Sequence, residues 1–510
     1  MRIDRGIRAG LIGVALCLPQ IGTAQQPLNA IDWLGRNAPN VRTGPVLNEP
    51  PVTRTALRPD VAVEPLQRRS DPIGLVPGRV TGLPDHLWRG SDVDTLTRLI
   101  AQVPVRRSPA MQTMLYTLLL SETRPPPGEE DAEHLILARL DRLMALGATD
   151  PAQSLAEQAG PSKSSAIFRR WFDATLLNGA EDTSCAELLR APYLLDDYGA
   201  RIFCTARAGD WQTAALTLEA AHALSILPPD RLALLDRFLS PDIYEGAPPL
   251  PPPGAPSPLE FRLYEAIGER LPTASLPRAF ANADLRDVAG WRAQIEAAER
   301  LTRIGALPAN RLLGLYTDRR PAASGGIWDR IDALQLFETA LTQGSADAVA
   351  KTLPEAWAQM RAAELHTAFA EMFSDRLAEL DLGATPVAQM AWRIQLLSAN
   401  YETAATNAPE GQAFLAGLAH GAPDGALADS ATERAVSDGF TTGAALPASV
   451  QMALDQGQLG EAILLAMQFF DRGARGNPAD LSSALAALRA VGLEDTARRA
   501  ALHLILTSRG

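Results

Sequence analysis

Apolar residues along this chain recur at spacings of three and four, with polar residues filling the positions between, which predicts amphipathic helices. Leu96, Leu99, Ile100 and Val103 make one such stripe, and Met111, Met114, Leu115, Leu118 and Leu119 make the next. The spacing resumes from Leu135 to Leu146, after a break at Pro125-Pro126-Pro127-Gly128. The clearest helix is expected from Asp287 to Ile304. It places Val288, Trp291, Ile295, Ala298 and Leu301 on an apolar face and Arg292, Glu296, Glu299, Arg300 and Arg303 opposite. Glu296 with Arg300 and Glu299 with Arg303 stand in the favourable i,i+4 order, each worth about 0.2–0.5 kcal/mol. Gly305 suits the left-handed cap that ends a helix, and Pro308 blocks its regrowth. Strand signals are poor: aromatics are 5% of residues, and alanine and leucine dominate. The predicted fold class is all-α.

Helix stops recur in a regular form. Gly209 is followed by Asp210 and then Ala214, and Gly344 by Val349. Gly457 and Gly492 lie 35 residues apart, each with an alanine five residues on, Ala462 and Ala497. Over about half of the chain this punctuation resembles the tetratricopeptide-type helical repeat, whose unit is close to that length. The resemblance implies stacked helical hairpins, an α-solenoid-like array, and a concave surface that binds proteins. It implies no catalytic residue.

The N-terminus changes the picture. A net-positive start at Met1–Arg8, an apolar run from Ala9 to Leu18, and Gly22-Thr23-Ala24 read as a secretory signal peptide over 1–24. The exported chain would reach a bacterial periplasm without a transmembrane segment. Residues 25–84 are proline- and arginine-rich with few bulky apolar residues, which predicts a flexible segment. Inside it, residues 29–34 carry a short apolar motif with Ile31, Trp33 and Leu34. This motif reads either as a docking peptide for a partner or as a segment that tucks against its own helical body. Ile73 to Trp88 reads as an ordered but irregular lead-in. An N-terminal helical array is expected over 85–246, a stiff proline-rich connector over 247–258, and a C-terminal helical-repeat array over 259–510.

Charge and cysteine usage narrow the partners. The net charge is −12, and loss of the leader removes three arginines and one aspartate, making the mature chain more acidic by two. That acidity argues against a nucleic-acid partner. Cys185 and Cys204 survive leader removal; in an oxidising compartment they read as a disulfide, or else as two small buried apolar residues.

Candidate chemistry is sparse. His86, His134, His222, His366, His420 and His503 show no metal-ligand spacing, and neither Lys163 nor Lys351 sits in a phosphate loop. No nucleophile elbow or dinucleotide-binding glycine pattern occurs. No cofactor, metal or catalytic residue is therefore expected. Carboxylate pairs occur at Glu129-Glu130-Asp131 and Asp196-Asp197, where they read as a helix start and a turn. The candidate contact surface is the loop from Asp318 to Asp329, with Arg319, Arg320, Ser324, Gly325, Gly326 and Trp328; the plainer reading is an ordinary helix connection with Trp328 in the core. Ser324 is placed to cap the helix that follows. The sequence thus points to a non-catalytic adaptor or scaffold that binds a protein or peptide in the cell envelope. Two other readings stand beside it: an enzyme acting on cell-wall glycan or peptide, and a purely structural envelope component.

Overall fold

A computed structural model describes residues 71–126 and 129–507. The signal peptide and the 29–34 motif lie outside the described residues. Among the described residues the regular elements are all helical, and the only pairings of strand type are isolated bridges, Ile73 with Thr123 and Val76 with Ser121. The stretch from 73 to 84, read both as the end of the flexible segment and as the start of an ordered, irregular lead-in, is pinned to the body. Ile73 N–H donates to Thr123 O at 3.0 Å, and Gly74 N–H donates to Gln158 Oε1 at 2.9 Å. Beneath it the buried guanidinium of Arg139 donates to three carbonyls, Leu119, Ile73 and Ser121, at 2.8, 2.9 and 3.0 Å. Burial lowers this arginine to about 10, so it stays charged at neutral pH and its charge is answered by backbone dipoles.

Helix starts follow the local sequence. Asp92 caps helix Val93–Gln102, Ser108 caps Pro109–Leu120 with proline in its first turn, and Ser257 forms a capping box with Glu260. The stops recur as one turn. Gly209, Gly344, Gly457 and Gly492 all have positive φ, which an L side chain resists. At each, the next residue's N–H reaches back across the turn: Asp210 to Thr205 O, Ser345 to Ala340 O, Gln458 to Ala453 O, and Leu493 to Leu488 O. The residue five positions on, Ala214, Val349, Ala462 or Ala497, is completely buried each time.

The core does not divide at the proline-rich connector. One apolar cluster draws on residues from both sides of 247–258, running from Leu83 to Ile304 and again from Trp392 to Leu502. A second cluster is built from Ala281 to Leu397. The connector itself is held by both sides: Arg237 donates to Pro248 O at 2.7 Å, Leu250 N–H to Glu269 at 2.7 Å, and Tyr264 hydroxyl to Pro251 O at 2.7 Å. An open array would contact only neighbours along the chain. Here the path returns on itself. Helix Pro109–Leu120 packs on Glu494–Thr507, and Val93–Gln102 packs on Leu459–Ala474. At that seam Gly460 N–H donates to Leu87 O at 3.0 Å, and Gln458 donates to Gly90 O at 2.6 Å.

Cys185 on helix Glu181–Arg190 and Cys204 on helix Tyr198–Arg207 are joined as a disulfide, with Cα atoms 4.9 Å apart. The short 3-10 turn Pro192–Leu194 carries the chain between these helices.

Candidate functional site

The loop from Asp318 to Asp329 is exposed over most of its length. Arg319 pairs with its neighbour Asp318 at 2.9 Å, and Arg320 and Ser324 face solvent. Ser324 does not cap the following helix. Helix Ile327–Thr342 begins after Gly326, without a side-chain cap, and the Asp329 carboxylate accepts from Gly325 N–H at 2.8 Å. Gly325 and Gly326 have positive φ, and nothing lies within 4 Å of where their side chains would point. Trp328 turns inward, its ring centroid 5.1 Å from that of Trp291. The two arginines of the loop are exposed. Ile31, Trp33 and Leu34 lie outside the described residues.

The preceding helix also differs from expectation. It starts at Trp291, so Val288 stays exposed. Glu299, placed by the helical pattern on the polar face, is 3% exposed. It accepts from Arg330 at 2.7 and 2.9 Å, from Tyr316 hydroxyl at 2.6 Å, and from Arg303 at 2.7 Å. Of the two expected i,i+4 pairs only Glu299–Arg303 forms. Glu296 pairs with Arg292 at 2.8 Å, and Arg300 donates to Thr273 O and Leu276 O.

A cleft lies where early and late helices of the described chain come together. Its volume is about 1850 Å³, and it is walled by the 102–107 loop, helix Pro109–Leu120, the end of Glu129–Leu146, residues 302–308 and 361–371, and helices Leu459–Ala474 and Glu494–Thr507. Eight arginines line it: Arg106, Arg107, Arg142, Arg278, Arg303, Arg361, Arg475 and Arg499. Four carboxylates line it too, Asp150, Glu364, Glu371 and Asp471. Arg303 is paired with Glu299, and Arg475 with Asp471 at 2.6 Å. The other six arginines form no ion pair among the described residues.

The polar groups of this wall are unusually open. Of twelve buried side-chain polar atoms without a hydrogen-bond partner among the described residues, six belong to residues lining this one cleft. They are Tyr116 Oη, Arg142 Nε, Thr302 Oγ1, Thr367 Oγ1, Arg499 Nε and His503 Nδ1. Elsewhere in proteins such groups are almost always satisfied. Burial, reinforced by the nearby guanidiniums, holds the histidines neutral: His366 falls to about 4 beside Arg361, and His503 to about 3 beside Arg499. Burial raises Glu371, and Arg499 partly offsets this. The phenol of Tyr116 is raised by burial and stays protonated.

No local pattern marks these residues. They come from segments up to several hundred positions apart, and the adjacent arginine pairs they belong to, Arg106-Arg107 and Arg498-Arg499, are no different from pairs elsewhere such as Arg169-Arg170. Comparisons with protein-family models, curated proteins and solved structures gave no match to this chain. Among the described residues no helix is long and apolar enough to cross a membrane, and no group of three or more His, Cys, Asp or Glu side chains is placed to hold a metal ion.

Proposed function

We propose that this chain is an exported, non-catalytic helical-repeat scaffold that holds an acidic segment of a protein or peptide partner in the arginine-lined cleft, at the bacterial cell envelope. One observation carries the reading. In a chain of net charge −12, a single cleft gathers eight arginines against four carboxylates. A concave wall of one sign concentrates ligands of the other and speeds their encounter. The acidic surface around it opposes a long polyanion such as nucleic acid, while a short acidic segment fits inside. Export is supported by the leader pattern at residues 1–24 and by the disulfide between Cys185 and Cys204. The repeat is supported by the recurring glycine turn and the 35-residue spacing of Gly457 and Gly492.

The test is fluorescence anisotropy with a labelled glutamate-rich peptide and an oligolysine control. The acidic peptide is expected to bind, to weaken as salt screens the cleft, and to weaken again in Arg361→Glu/Arg499→Glu. Equal behaviour of the two peptides would sink the reading. So would release of soluble fragments from cell-wall material by the purified protein.

A further inference from the structure

The unpaired charge in the cleft is unevenly placed. Arg361 and Arg499 on one wall are matched in number by Glu364 and Glu371. Elsewhere in the cleft Arg106, Arg107, Arg142 and Arg278 are met by Asp150 alone. The surplus of three positive charges falls on this second set, and Arg106, Arg278 and Arg142 make one corner, since Arg106 bears on Arg278 and Arg278 on Arg142.

That corner is held in shape by hydrogen bonds. Gln112, 5% exposed, donates through Nε2 to Arg106 O at 3.3 Å and to Arg303 O at 3.2 Å. It thereby ties the turn that carries Arg106 and Arg107 to the end of helix Trp291–Thr302. Arg142 donates from Nη1 to Ala101 O at 2.9 Å and from Nη2 to Val103 O, fixing the other side of the same turn. Arg278 donates from Nη1 to Ala145 O at 3.2 Å, and its remaining donors have no partner among the described residues. Arg106 and Arg107 are exposed to the cleft. Arg106 bears on Arg278 and Arg278 on Arg142 as like charges, with the protonated phenol of Tyr116 beside both; no carboxylate bears on either.

We propose that this corner binds a phosphate group, with Arg106, Arg107 and Arg278 in contact with it and Arg142 acting as a positioning residue behind the turn. The inference rests on the cleft being the recognition surface, and it deepens that reading by naming the group that anchors the ligand. One carboxylate carries a single charge and is served by one guanidinium fork. Three guanidiniums, two from the 102–107 turn and one from Arg278, suit a group with up to two charges and three terminal oxygens. The phosphate is either free or an ester on a larger ligand.

The experiment is titration calorimetry on the full chain at low ionic strength, with inorganic phosphate, glycerol 3-phosphate, acetate and the glutamate-rich peptide as separate ligands. Phosphate is expected to bind saturably and acetate not to bind. Arg106→Ala/Arg107→Ala and Arg278→Ala should each weaken phosphate binding by about tenfold or more, the loss expected on deleting a charge-assisted contact. Arg292→Ala, at a residue that lies outside the cleft and is paired with Glu296, should leave it unchanged. Because Arg106 and Arg107 are exposed and make no ion pair, their removal should leave the helical circular dichroism intact. Tighter binding of glycerol 3-phosphate than of phosphate supports an ester on a larger ligand; equal binding supports free phosphate. Acetate bound as well as phosphate, or phosphate binding that survives both alanine variants, overturns the proposal. If the peptide binds and phosphate does not, the phosphate corner falls while the cleft reading stands. If neither binds, both fall.

Discussion

Trp88 offers the sharpest test of how the two ends of the chain are joined. Its side chain is completely buried, and its indole Nε1–H donates to Thr123 Oγ1 at 3.0 Å. The ring lies against the backbone of helix Leu459–Ala474. A Cβ added at Gly460 would come within 2.5 Å of Trp88 Cε3. Trp88→Ala removes this filling where the start of the described chain meets helix Leu459–Ala474. A buried tryptophan cut to alanine loses its transfer free energy and leaves a cavity, together about 3–5 kcal/mol. Little is added for Thr123, whose hydroxyl still reaches Ser121 O at 3.4 Å. Trp88→Phe keeps most of the ring and loses the hydrogen bond, a cost of about 1 kcal/mol before any repacking. Urea unfolding followed by far-ultraviolet circular dichroism gives both values from midpoint and slope. The helix that Trp88 supports ends at Asp471, Ala474 and Arg475, which line the cleft, so Trp88→Ala should also weaken binding of the acidic peptide. A loss below about 1 kcal/mol in Trp88→Ala would refute the closed seam, because no other role for a fully buried indole is that small.

Two further outcomes are expected. Burial raises Asp173 to about 7, with Arg169 and Arg170 opposing the shift and Asp197 and Asp141 adding to it. The folded state then holds the proton more tightly than the unfolded chain. Its contribution to stability is full below the unfolded value of 3.8 and is lost as pH rises through about 7. Asp173→Asn should therefore stabilise the protein at pH 8, by at most about 4 kcal/mol, with the gain shrinking toward pH 4; urea midpoints that respond to pH alike in both proteins would contradict this. Reduction of the Cys185–Cys204 bond, or Cys185→Ala/Cys204→Ala, should cost about 3 kcal/mol for a closed loop of this size. An unchanged urea midpoint with and without dithiothreitol would show that the bridge constrains nothing.

Local sequence determined most of the helix inventory. Where a helix begins or ends depends on groups a few residues apart, so Gly209, Gly344, Gly457 and Gly492 could be read directly as stops. Asp197, read as part of a turn, serves as the cap of helix Tyr198–Arg207. The two cysteines were legible as a pair because their helices are adjacent in the chain. What periodicity could not supply was the identity of each helix's neighbours. Glu299 has the spacing of a solvent-facing residue, yet Arg330 and Tyr316 arrive from other helices and satisfy its carboxylate inside the core. The proline run at 247–258 has the composition of a linker, but Arg237, Glu269 and Tyr264 hold it in place. The cleft is the extreme case. Arg106, Arg278, Arg361 and Arg499 share one wall system only because helix Glu494–Thr507 returns to helix Pro109–Leu120. A helical period says which way a side chain points from its own axis. Only the packing of distant helices decides whether it meets water, a partner or another like charge.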